Sequence, residues 1–311
     1  ALGIIFRDFP DTVFAVRKDS PLIVGIGEHE NFIASDVPAI IQYTKKYQLL
    51  DADEIAVIKK ESVNIYDIHH NKVEKETLEA NWDITAAEKC GYEHFMLKEI
   101  HEQPTANNTI APRILDGMPT LEECGITIDT LNGFKQIFIV ACGTAMHAGM
   151  VGKYIIERLA RVPVTVDIAS EFKYRDPIIN KDDLVILISQ SGETADTKSA
   201  LHLAKDCGAK TLSIVNVKGS SIARESDMVI YTHAGPEISV ASTKAYSVQL
   251  AVMYLIAFEL AYAKGKLSED ECKEYISKLR EVPKLIETIL KDKSTCQLVA
   301  SKIMNATSLL Y

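Results

Sequence analysis

The sequence predicts an α/β fold, a parallel sheet sandwiched by helices and preceded by a β-rich region. Three observations predict it. Between residues 134 and 265, short apolar runs alternate with helix-periodic stretches, the arrangement that buries a parallel sheet on both faces. Residues 1–75 carry strand-like segments separated by polar turns. Beyond residue 265 apolar residues recur at helical spacing.

In order along the chain, residues 1–75 place strands at 12–16, 22–25, 55–58 and 63–68, the last two joined across Lys59-Lys60-Glu61-Ser62. Residues 76–133 are polar and helical in patches, with Pro104, Pro112 and Pro119 as interruptions, and read as a connector. Within 134–265 the strands fall at 137–141, 164–168, 184–188, 212–215 and 228–231. The apolar stretch 245–263 includes Gln249 and Glu259, which favours a buried core helix over a membrane span. In 266–311, Tyr275, Ile276, Leu279, Val282, Leu285, Ile286 and Ile289 mark the inner face of a helix. The chain opens inside strand-like sequence without a methionine and stops in an apolar stretch, so it reads as a piece of a longer protein.

Composition removes several function classes. A chain of 311 residues with 47% hydrophobic and 25% charged residues can bury a large core. Its net charge of −9 argues against sequence-independent nucleic-acid binding, and it leaves an anionic ligand to be drawn in by local donors. Six scattered cysteines without a C-x-x-C pair imply reduced thiols, a cytoplasmic location and no metal centre.

The most informative stretch is Leu187-Ile188-Ser189-Gln190-Ser191-Gly192-Glu193-Thr194, where a buried strand runs into a hydroxyl-rich turn and then a helix. The first N–H groups of a helix lack internal partners, so such a turn binds anions. Ser189, Ser191 and Thr194 add hydroxyl donors, and no Lys or Arg lies in the loop. That favours a phosphate monoester held by neutral donors. The simpler alternative is that Ser191 caps a helix. Two further strand ends carry similar chemistry, Cys142-Gly143-Thr144-Ala145 and the stretch from Glu237 to Lys244. Ligands of open parallel sheets sit at such strand ends.

Other motifs fail. There is no G-x-x-x-x-G-K-[ST], and Gly25-Ile26-Gly27-Glu28-His29-Glu30 has Glu where a dinucleotide fingerprint needs its third glycine. Ser191 is not in a G-x-S-x-G elbow, and His69-His70 lies beside a polar turn. Cys142 has a mild claim as a nucleophile near a helix N-terminus, against the plainer reading of a structural thiol. No cofactor is implied.

The stretches Ala141-Cys142-Gly143-Thr144, Ser189 to Thr197 and Val240-Ala241-Ser242-Thr243-Lys244-Ala245 together resemble the first sugar-isomerase (SIS) domain of the glutamine–fructose-6-phosphate aminotransferase family. Met96 to Pro104 is similar to that family's interdomain segment, and Glu30 to Asp36 to the later part of its glutaminase domain. The resemblance covers essentially the whole chain. It implies the end of an N-terminal-nucleophile glutaminase domain at 1–75, a connector at 76–133, the first SIS domain at 134–265, and a helical segment at 266–311 leading to a second SIS domain.

The resemblance also assigns roles. Ser189, Gln190, Ser191 and Thr194 would hold the phosphate of fructose 6-phosphate or glucosamine 6-phosphate. Thr144, Ala145, Val240 and Ser242 would face the sugar, Ala145 departing from the family's usual serine. Asp36 would pair with the ammonium of glutamine. The family's cysteine nucleophile, acid–base groups and Schiff-base lysine belong to segments outside this chain, so residues 1–311 are expected to be inactive alone. Glu237 and Lys244 are the candidate acid–base groups near the loops, against a role as structural ion-pair partners. The apolar stretch 248–260 and an absent second SIS domain lead to the expectation of a homodimer. The alternatives are a phosphosugar-binding regulator built on an SIS domain, and a simple phosphosugar isomerase. The stretch from Glu30 to Asp36 and the acidic charge argue against the regulator, which would more often carry a DNA-binding module there, and a simple isomerase has no need of a glutaminase-like stretch.

Overall fold

The computed structural model describes residues 1–18, 21–35, 37–80 and 89–309. The first region is built from strands β1 (Leu2–Ile5), β2 (Val13–Arg17), β3 (Ile23–Ile26), β4 (Asn31–Ala34), β5 (Lys46–Leu49), β6 (Glu54–Lys59), β7 (Ser62–Tyr66), β8 (Lys72–Val73) and β9 (Leu78–Glu79). They form two antiparallel sheets, ordered β1-β2-β6-β7-β8 and β4-β3-β5-β9. Ala15, Ala56, Ile58 and Ile65 of one sheet meet Val24 of the other and Leu50 in a shared core. The β6–β7 hairpin pairs Lys59 with Ser62, so the turn is Lys60-Glu61. The β7 strand stops two residues short of the sequence expectation. Asp67 Oδ1 accepts the backbone N–H groups of His69 and Asn71, each at 2.8 Å, and this turn closes the strand.

The connector is more ordered than its prolines suggest. Helix α1 (Phe95–Asn107) runs through Pro104, which the sequence marked as an interruption. Proline leaves the carbonyl of Ile100 without its helical donor. Gln103 Nε2 fills that place at 3.2 Å. The hairpin of β10 (Ile114–Leu115) and β11 (Met118–Pro119) and the short helix α2 (Ile128–Gly133) complete the segment.

A parallel sheet follows, made of β12 (Gln136–Ala141), β13 (Val164–Ile168), β14 (Asp183–Ser189), β15 (Lys210–Val215) and β16 (Met228–Tyr231). All five predicted strands are present, in the order β13-β12-β14-β15-β16. Every residue of β14 is buried, as a central strand covered on both faces requires. On one face Ile137, Ile139, Leu184, Ile186, Leu212 and Ile230 pack under α3 (Gly143–Leu159) and α7 (Lys244–Ala263). On the other, Phe138, Val140, Val185, Leu187 and Val215 pack under α4 (Ala169–Phe172), α5 (Ala195–Asp206) and α6 (Ser221–Glu225). Alternate residues of each strand thus serve opposite layers.

Helix α7 has the length and composition of a membrane span, yet it is the buried core helix that Gln249 and Glu259 suggested. It is enclosed by α3, α1, α2 and α8 (Glu269–Lys291), with α9 (Ser294–Ile303) beyond. A capping box starts α8: Ser268 Oγ accepts from Glu271 N–H, and Glu271 Oε2 accepts from Ser268 N–H.

Candidate functional site

The order β13-β12-β14 reverses direction between β12 and β14, because the first crossover goes one way and the next goes the other. The C-terminal ends of those two strands therefore open a crevice between their following helices. A cavity of about 1320 Å³ lies there. Thr144, Ala145, Ser189, Gln190, Ser191, Thr194, Val240 and Ser242 all line it, so the residues singled out from three separate sequence stretches converge on one space. Asp36 lies outside the described residues.

The hydroxyls shape the loop as well as line it. Ser189, buried at the end of β14, accepts the Gly192 N–H at 3.0 Å and sits 3.0 Å from Thr194 Oγ1. Ser191 Oγ accepts the Glu193 N–H at 3.2 Å. Thr194 is the N-cap position of α5 but makes no side-chain cap hydrogen bond, and neither Ser191 nor Thr194 satisfies the helix's first N–H groups. The simple capping alternative therefore does not describe this turn. Gly192 has φ +66°, and a Cβ there would collide with the Ser220 hydroxyl. The site needs glycine for both reasons.

The third loop is held by carboxylates. Glu237 Oε1 accepts the N–H groups of Thr243 and Ala245 at 2.9 and 3.1 Å, and its Oε2 accepts the Ser242 hydroxyl at 2.9 Å. A negative charge at the N-terminus of α7 is favourable, and Glu237 supplies it. Lys244, nearly buried, donates to Glu102 Oε2 at 2.6 Å. Both sequence candidates for acid–base work are engaged structurally. Glu99 of α1 reaches the same loop, taking the N–H groups of Ile238 and Ser239 at 2.6 and 3.2 Å, and the Ser239 hydroxyl. Burial raises the Glu99 carboxyl above its ordinary value, and the hydrogen bonds from Ile238 and Ser239 oppose that shift. Val240 projects fully exposed at the rim.

The sequence reading missed the cations. Arg17, Lys75, Lys218 and Arg224 border the cavity, although none lies in the hydroxyl loop. Lys75 is paired with Asp51 at 2.5 Å and Glu54 at 2.8 Å. The Lys75 hydrogen bond holds the Asp51 carboxyl below its usual range, and the charges of Lys75, Arg17 and Arg224 add to it. Arg17 donates to the Leu50 carbonyl and lies 3.9 Å from Glu193 of the hydroxyl loop. Lys218 is exposed on the turn after β15, beside Ser220. Residues 216–220 follow β15 as a fourth strand end at the cavity, the same local signal that marks the other three loops. Cys142, the residue before α3, borders the cavity without capping the helix.

The SIS domain model matches residues 130–258. The chain is 53% identical over 313 aligned residues to glutamine–fructose-6-phosphate aminotransferase [isomerizing] of Caldanaerobacter subterraneus, covering 100% of this chain and 52% of that protein. It is 50% identical to the Clostridium acetobutylicum protein of the same name, again over 100% of this chain and 52% of the relative. Among solved structures, the C-terminal domain of glucosamine-fructose-6-phosphate aminotransferase from Francisella tularensis superposes with a TM-score of 0.68 and 40% identity, covering 70% of this chain and 62% of that one. A Clostridium difficile putative phosphosugar isomerase gives 0.55 and 26%, over 63% of this chain and 54% of that one. The chain spans about half the length of the curated relatives it matches. It contains an SIS domain, and its whole length is homologous to about half the length of the glutamine–fructose-6-phosphate aminotransferases.

Proposed function

We propose that this chain supplies the sugar-phosphate-binding loops of an enzyme that converts fructose 6-phosphate and glutamine to glucosamine 6-phosphate and glutamate. The observation that carries the reading is the convergence of the three loops on one cavity at the switch point of the parallel sheet. Ser189, Gln190, Ser191 and Thr194, with the first N–H groups of α5, would receive the phosphate. Neutral donors at a helix N-terminus suit a dianion without a lysine grip. Thr144, Ala145, Val240 and Ser242 would face the sugar. Because Ser242 donates its proton to Glu237, its oxygen is left to accept from a sugar hydroxyl. Asp36 would hold the glutamine ammonium by charge. The reaction this reading assigns to the whole enzyme is amination at C2 with ketose-to-aldose isomerisation, the first step towards UDP-N-acetylglucosamine.

Residues 1–311 alone are expected to turn over neither substrate. Proton transfer at C1 and C2 needs a group free to exchange protons, and Glu237 and Lys244 are engaged by α7 and Glu102. The free cysteines among the described residues fit a reducing cytoplasm. The test is calorimetric titration of fructose 6-phosphate into the protein and into Ser191→Ala. Loss of one hydroxyl contact should cost about 1 kcal/mol, or roughly fivefold in affinity. Equal affinities would remove the hydroxyl loop from the binding site. Formation of glucosamine 6-phosphate by residues 1–311 alone would overturn the expected inactivity.

A further inference from the structure

One wall of the cavity carries a polar residue that belongs to none of the loops. Gln249 lies on α7, which packs closely on α3: a Cβ on Gly152 of α3 would collide with the Met253 methyl group. Gln249 precedes Met253 by about one helical turn, so both face α3. Thr144 and Ala145 lie in the first turn of α3, and Gln249 borders the same cavity as they do. Its side chain is 2% exposed. Its Oε1 has no hydrogen-bond partner.

A buried carboxamide oxygen without a partner is costly and uncommon. Gln190 Oε1 and Ser220 Oγ, in the loops of the same cavity, also lack a partner, whereas other polar side chains there are used by the protein. Asn216, for example, accepts from Ala234 N–H and Thr232 Oγ1 and donates to the Gly235 carbonyl. The chemistry of the unused group limits what completes it. A carboxamide offers both a donor and an acceptor, as does a hydroxyl, whereas a phosphate dianion takes only donors.

Resting on the sugar-phosphate reading above, we propose that Gln249 is a specificity-determining residue whose carboxamide hydrogen-bonds hydroxyl groups of the bound sugar. It acts on the polyol part of the ligand, and Ser189 to Thr194 act on the phosphate. A buried water serving the same group would make Gln249 structural, and binding distinguishes the two cases.

The experiment measures fructose 6-phosphate by calorimetry, and inorganic phosphate by its displacement of that ligand, on the wild-type chain, Gln249→Leu, Gln249→Met and Ser191→Ala. Thermal melts accompany each variant, and Gln249→Met, which conserves volume, replaces the leucine variant if that one fails to fold. The expected result is an affinity for fructose 6-phosphate about tenfold weaker in the Gln249 variants, as for one or two lost hydrogen bonds, with phosphate affinity unchanged. Ser191→Ala should weaken both ligands. Gln249 variants that lose both ligands equally, or neither, overturn the proposal while leaving the hydroxyl-loop reading standing. Failure of both Gln249 variants to fold shows a structural role and also overturns it. A wild-type chain that binds neither ligand overturns both readings.

Discussion

Glu259 provides a direct test of the helical layer beneath the site. It lies on α7, 5% exposed, and its Oε2 has no hydrogen-bond partner. Burial pushes its carboxyl up to about 7 from the ordinary 4.5; a hydrogen bond from the Leu121 N–H pulls the other way, and the charge of Glu122 adds to the rise. Nearby Cys272 is pushed up to about 11, chiefly by burial, and burial also raises Cys124. Both thiols are therefore neutral across the pH range that matters. Between pH 4.5 and about 7 the folded protein holds a proton at Glu259 that the unfolded chain has lost. Its contribution is present in full below 4.5, shrinks as pH rises, and is gone above about 7. At ~1.4 kcal/mol per pH unit, that gap is worth about 3 kcal/mol. Glu259→Gln is neutral at every pH and keeps an acceptor for Leu121. Urea denaturation of both proteins at several pH values should show the glutamine variant gaining on the wild type by roughly 2–3 kcal/mol between pH 5 and 8. A stability difference that does not change with pH would refute the reasoning.

Three further outcomes are expected. Gly192→Ala forces a side chain into a backbone with φ +66° and places its Cβ 2.6 Å from the Ser220 Cβ; it should cost on the order of 1–3 kcal/mol and weaken fructose 6-phosphate binding, read by thermal melts and calorimetry. Glu237→Gln removes the charge that accepts from Thr243 and Ala245 at the start of α7, and should cost about 1–2 kcal/mol in chemical denaturation. The stretch 248–260, the basis in the sequence for expecting a homodimer, is largely buried within the chain, so the apolar surface left for the proposed homodimer is on α8 and α9, which expose Leu285, Ile289, Leu298 and Val299; sedimentation equilibrium should show it, and a monomer at all concentrations would count against it.

What the sequence made legible follows from how each feature is stabilised. The strands of the parallel sheet are covered on both faces, so they appear as unbroken apolar runs, and β14 is the extreme case. The hydroxyl loops were legible because strand-end chemistry is local: Ser189 to Thr194 fold on themselves through contacts within five residues. The short strands β5, β8 and β9 were not. Their segments, KYQL, KV and LE, have no fully buried residue, so they carry no period to read. Pro104 misled because the Gln103 side chain repairs the helix locally, a compensation that the presence of proline does not announce.

The connector shows why site residues alone do not describe the site. Glu99 and Glu102 of α1 lie about 140 positions from the loop they hold, and nothing in their local sequence separates them from solvated helix charges. In the fold they are paired with the N–H groups of Ile238 and Ser239 and with Lys244. Without those acceptors, the loop carrying Val240 and Ser242 would leave polar backbone groups unmatched beside a buried lysine, at a cost comparable to a substantial part of a domain's net stability. The resemblance at Met96 to Pro104 therefore has a physical content beyond a join between domains. That helix holds the third wall of the cavity in place, and the sugar contacts proposed for Val240 and Ser242 depend on α1 as directly as on α7.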